Sequence, residues 1–312
     1  MGEVFYIWGS ELNRFMRAIG FSKPLKRKEI QALIEAGIKD CKYRAYTTDD
    51  EDENTVLAQF EINFGDDFGI CVCGQFDEDD QFYPDYYYPF LNTNQVSSTE
   101  EISVEPRIDN DSYAGICEDL RVGVTLIFRL RNTVEYLKCR HTSFAPMENT
   151  SVILTALAAE GTVLMPVYKT DEQIQQVQEE NEERMVQIRR AKRGDEDASR
   201  ELTALEMDQY AGLMEHIRQD DIYSIVDSYL MPYGAECELY SILGEIKKTE
   251  RRINCLTMEE MTLLRVDCNG LELDILIHQD DLFGQPEIGR RFRGCIWMQG
   301  KICFGSMNKQ EQ

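Results

Sequence analysis

The dipeptide Asn269-Gly270 constrains this chain more than any other feature. It divides two alternating apolar runs, Leu264, Val266, Cys268 and then Leu271, Leu273, Ile275, Ile277. Asn and Gly both adopt positive φ at low cost, and a two-residue turn of that kind sets the register of the strands it joins. Residues 264–277 are therefore expected to form an antiparallel hairpin. With Ile242 to Ile246 before it and Cys295 to Phe304 after it, the last third has the strand inventory of a small β-barrel, OB-like in the oligonucleotide/oligosaccharide-binding sense.

Upstream the periods change. Leu12, Phe15, Met16 and Ile19, then Ile30, Leu33, Ile34 and Ile38, recur at helical spacing around Gly20 and Pro24, which predicts two short opening helices. The acidic run from Thr47 to Thr55 reads as a solvated loop. Val56 to Phe64 and Phe68 to Phe76 alternate about a Gly65-Asp66-Asp67 turn. Phe82, Tyr86, Tyr88 and Phe90 supply a third strand, sent to an edge by Pro84 and Pro89. Ile102 with Val104 makes a fourth, completing a small antiparallel meander.

From Tyr113 to Leu137 the apolar spacing predicts one long amphipathic helix, capped by Asp111 or Ser112 and covering the sheet; a strand over residues 122–128 is the alternative. Thr170 to Gly194, acidic early and basic late, predicts a solvated helix, and Thr203 with Glu206 opens another. The expected fold class is α+β: an antiparallel sheet packed by helices (residues 1–145), a mainly helical middle segment (146–235) and a small β-barrel module (236–312).

Charge narrows the function classes. Lys plus Arg number 33 against 57 acids, a net of −24, so the average surface repels phosphate and duplex nucleic acid is not expected as a partner. From Tyr240 onward acids and bases nearly cancel, and the C-terminal module is a different surface electrically. The longest apolar stretch, Val152 to Tyr168, is broken by Glu160, Gly161 and Pro166, so no membrane span is expected. Ten cysteines lie mostly inside apolar runs, as small hydrophobes rather than a disulfide framework.

The sequence names no catalytic residue, no metal-ligand set and no cofactor. Glycine loops for nucleotide phosphates and the nucleophile-elbow pattern do not occur, and His141, His216 and His278 sit in unrelated contexts. Cys71 and Cys73 face one side of a strand and could join Cys117 in a soft-metal or redox site, but the expectation is that they pack as reduced, metal-free buried thiols. His278 with Asp280 and Asp281 has donors for a divalent ion, against a plain polar loop. Asp77 to Asp80 before the tyrosines suggests either a solvated turn or a sugar or calcium site, with Tyr86 and Tyr88 as candidate ligand-binding rings. Arg290, Arg291 and Arg293 near Trp297 have the composition of a platform for an anionic ligand or single-stranded nucleic acid. The alternative seats Trp297 inside the barrel and pairs the arginines with acids.

Several stretches carry a family resemblance: Arg14 to Phe21, Asp119 to Thr125, Met231 to Gly234, Gly289 to Gly294 and Ile296 to Gly300. Together they resemble an uncharacterised clostridial (Firmicutes) family filed as a domain of unknown function. The resemblance implies a bacterial, cytoplasmic protein and no mechanism; residues 1–12 precede the family's usual start and are either an extension or a start-site artefact. Taken with the residues, the expected function is that of a non-catalytic interaction or regulatory protein with another protein as partner. The alternative is an enzyme or sensor that binds a small anionic or sugar ligand between the domains.

Overall fold

The computed structural model describes residues 13–48, 55–77, 79–107, 112–142, 150–167, 226–234 and 237–304, with single positions between 179 and 197. Among these residues strands dominate. Two helices open the chain as their apolar spacing predicts, α1 (Asn13–Ala18) and α2 (Arg27–Asp40). Gly20 ends the first in the left-handed region, φ 88°, where a side chain would also press on Asn254.

A four-stranded antiparallel sheet follows in the order β1 (Tyr43–Thr48), β2 (Val56–Asn63), β3 (Phe68–Phe76), β4 (Phe82–Leu91). The β2–β3 hairpin has the expected turn, with Ile62 opposite Ile70, and Pro-bearing β4 lies at the edge. The fourth member of this sheet is β1, not the strand at Ile102. That strand, β5 (Ile102–Pro106), pairs instead with β6 (Tyr113–Asp119), which pairs with β7 (Val124–Leu130).

The long helix expected from Tyr113 to Leu137 is therefore corrected to a hairpin followed by α3 (Thr133–Thr142). Its apolar residues fit both periods, and the choice falls to backbone and packing. Gly123 turns at φ 68°, and Gly115 lies directly under the Phe128 ring, where any side chain would collide. The Val, Thr, Ile and Phe content of β7 suits a strand.

A mixed barrel occupies the C-terminal half. Its ring runs β8 (Ser151–Leu164), β12 (Leu271–His278), β11 (Glu260–Cys268), β10 (Leu239–Ile253), β14 (Arg291–Cys303) and back to β8. All neighbours are antiparallel except β8 and β12. The β11–β12 turn has Asn269 at φ 54° and Gly270 at φ 82°, with Cys268 opposite Leu271, as the dipeptide predicts. Short strands β9 (Tyr229–Pro232) and β13 (Leu282–Phe283) add to β10 and β8, and β7 joins β14 in parallel, which fuses the β5–β6–β7 sheet to the barrel.

Strand β8 falls in the segment expected to be helical. Its 14 residues alternate too weakly to show a period because the middle of the strand is buried on both faces. Of the helix expected over 170–194, the described positions Glu179, Glu183, Val186, Gln187 and Arg190 are helical. The rest of that helix, the one expected from Thr203, residues 1–12 and most of the acidic loop lie outside the described residues.

Two cores result. The first fills the barrel and the adjoining sheet, with Leu154, Ile242, Val266, Ile275, Phe292 and Met298 among its members. The second lies between the outer face of the barrel and the four-stranded sheet with α1, where Met261, Leu263, Leu276 and Trp297 meet Phe15, Ile70, Tyr88 and Phe90.

Candidate functional site

The aromatic and basic residues singled out in the sequence do not form one surface. Trp297 is 3% exposed, on the outer wall of the barrel rather than inside it, with its ring 5.6 Å from Phe15 and edge-on to Tyr88 at 6.2 Å. Tyr86 and Tyr88 are buried beside it, and the guanidinium of buried Arg129 lies 5.2 and 4.8 Å from their ring centres. These rings hold the sheet against the barrel and have no free face for a sugar or base.

Arg291 is buried, and donates from Nε to the Met165 carbonyl (3.0 Å) and from Nη1 to the Val226 carbonyl (2.8 Å), so it clasps the two chain ends that flank residues 168–225. Burial lowers its pKa. Arg290 pairs with Glu287 at 2.9 Å and donates to the Gln285 carbonyl; Arg293 is exposed. Four residues along β14, about 13 Å, separate Arg293 from Trp297.

The other sequence candidates resolve into structure. The sulfurs of Cys71 and Cys73 are 3.9 Å apart in the second core, while Cys117 belongs to the first and contacts Ser98. Burial pushes the Cys71 thiol well above its usual range. Asp77 accepts from the backbone of Asp79 and Gln81, which makes the acidic run the β3–β4 turn. Asp280 and Asp281 bind Arg17, and His278 Nδ1 accepts from the Asp280 backbone N–H.

What the sequence reading missed is a groove of about 720 Å³ between α2, the β2–β3 hairpin and the β10–β11 turn. Ala32, Leu33, Ala36 and Gly37 form one wall, Ile62 and Phe64 the floor, and Leu256 the lip. Gly37 makes the close approach possible: a Cβ there would sit 2.5 Å from Ile62. A glycine inside a 14-residue helix, which lowers helix stability by about 1 kcal/mol, was the available signal.

The lip is fixed by a dense set of bonds around Asn254, which is fully buried. Its Nδ2 donates to the Ile19 carbonyl at 2.8 Å and its Oδ1 accepts from the backbone of Leu256 and Thr257. Thr257 donates to the Gly20 carbonyl, the Cys255 N–H donates to Phe64, and both the N–H and hydroxyl of Ser22 donate to Glu259. Leu256 and Met258 nevertheless stand 59% and 70% exposed. The turn is thus held by hydrogen bonds on both flanks while it presents two apolar side chains to water. Asp40, Lys42, Glu61, Asn63 and Asp66 edge the groove. Glu61 is already engaged by Arg131 and Asn92.

Fold and site together define a mostly β protein in which a mixed five-strand barrel is joined through an apolar interface to a four-stranded sheet. The chain belongs to the family described as "Domain of unknown function, E. rectale Gene description (DUF3881)", which matches residues 16–300. That agrees with the family expected from the sequence. No curated protein and no solved structure gives a match. Among the described residues no helix is long and apolar enough to cross a membrane.

Proposed function

We propose that this protein is a non-catalytic interaction module whose partner docks in the groove between α2 and the β10–β11 turn. The observation that carries this reading is the groove itself, apolar within, polar at its edge and rimmed by exposed Leu256 on an immobilised turn.

The barrel supports the same reading by what it has given up. We take its ring to be OB-like, with the strand that closes it, β8, first in the chain instead of last. Barrels of that type bind ligands on the face of their second and third strands and at the loop between the first two. Here β11 and β12 turn Met261, Leu263 and Leu276 into the core shared with the four-stranded sheet. Among the described residues the loop at residues 254–259 stays open, and it forms the lip of the groove.

A small anionic or sugar ligand, bound by an enzyme or sensor, has less support, because Tyr86, Tyr88 and Trp297 are buried and Arg290 is paired with Glu287. Single-stranded nucleic acid loses the stacking face that those three rings were expected to give it.

Affinity capture from native lysate with the full chain tests the proposal. A stoichiometric partner retained at low and moderate salt, and lost on Ala36→Trp, is the expected result, since Ala36 is exposed and the larger ring fills the groove without entering a core. Retention by the variant would place the partner elsewhere.

A further inference from the structure

We infer that the occupant of the groove is a basic, amphipathic segment of a partner protein. The inference rests on the groove as the docking site and adds the chemistry of what docks there.

Asp40 and Asp66 are exposed on the rim, and the side chain of neither makes an ion pair or hydrogen bond with any described residue. Asp40 is moreover the last residue of α2, where the negative pole of the helix dipole opposes an acid and favours a cation. Lys39 and Arg44, whose Nη2 donates to the carbonyls of Ile38 and Lys39, already supply positive charge to that helix end, but neither lines the groove. Among the lining residues Asp40, Glu61 and Asp66 face one base, Lys42, and of these acids Glu61 is taken by Arg131. The long-range field acts in the same direction, since the whole chain carries −24.

The apolar half of the occupant follows from the walls. Ala32, Leu33, Ala36, Ile62 and Leu256 offer small and aliphatic contacts. Beyond the groove, Met258 extends the apolar surface along the turn. A free alkylammonium would cover the groove but not that extension. A segment with cationic residues on one side and aliphatic residues on the other covers both.

Titration of the intact protein with a helical Leu/Lys peptide at physiological ionic strength, alongside a Leu/Glu peptide of equal length and 1,5-diaminopentane, tests the inference. Saturable binding of the Leu/Lys peptide is expected, weakened by about tenfold in Asp40→Asn/Asp66→Asn. Asp79→Asn/Asp80→Asn removes the same charge at the β3–β4 turn, and binding should survive it. Equal weakening by the two pairs would reduce the effect to bulk charge and overturn the inference. So would equal binding of the Leu/Glu peptide, or displacement by the diamine at matching concentration. Ala36→Trp separates the two levels. If it blocks binding while Asp40→Asn/Asp66→Asn is neutral, the groove stands and the basic partner falls; if it leaves Leu/Lys binding intact, the groove itself falls.

Discussion

Asp119 shows how much of this structure turns on single side chains. It is 2% exposed, accepts from Ser98, and holds the backbone and guanidinium of Arg121, which in turn reaches the carbonyls of Ser97 and Gly270. Burial pushes its carboxyl up, but the bonds from Arg121 and Ser98 outweigh that and hold it below the usual range. Its contribution is therefore fully present above the unfolded value, about 3.9, and is lost as pH falls through the lower folded value. Asp119→Ala should cost about 3 kcal/mol in urea unfolding at neutral pH, and the gap from wild type should narrow below about pH 4. Gly37 makes the opposite case, where a residue matters by what it lacks. Ala there gains about 1 kcal/mol of helix propensity but drives a methyl into Ile62, an overpacking of about 1–3 kcal/mol, so a net loss of stability is expected by thermal melting.

Elements were legible where one cue decided them alone. The Asn269-Gly270 turn needs positive φ at both positions and has it, so the β11–β12 hairpin followed from two residues. A Cβ at Gly270 would meet only Arg121 Cδ, at 3.7 Å, and the strain of Gly270→Val is therefore conformational. That variant should lose about 1–3 kcal/mol by denaturant titration; a loss near zero would mean the turn can change type. The stretch from Tyr113 to Leu130 was misjudged because its apolar residues satisfy helical spacing as well as alternation. What decides it is tertiary, the Phe128 ring over Gly115 and the pairing of β7 with β14. The groove was hidden for a related reason. Gly37, Asp40, Ile62 and Leu256 come from three elements distant in sequence, and no local pattern links them.

At the scale of the whole molecule, the barrel is not a C-terminal unit complete in itself. Strand β8 pairs with β14 over most of its length and with β12 on its other side, so residues 151–164 close the ring. A fragment of residues 236–312 lacks that strand and leaves two long edges open, with the floor of the first core exposed. It should show no cooperative urea transition by circular dichroism, whereas the full chain should show one. The same closure places the open 254–259 loop against α1 and the β2–β3 turn, which is how a barrel and a sheet jointly create one groove. Photocrosslinking from position 36 of the intact protein in the cells that make it puts that account to its most direct test, with a crosslinker at exposed Tyr83 as the reference. A single protein partner joined at position 36 and absent at position 83 is the predicted result; no adduct at 36, or the same adducts at both, would contradict it.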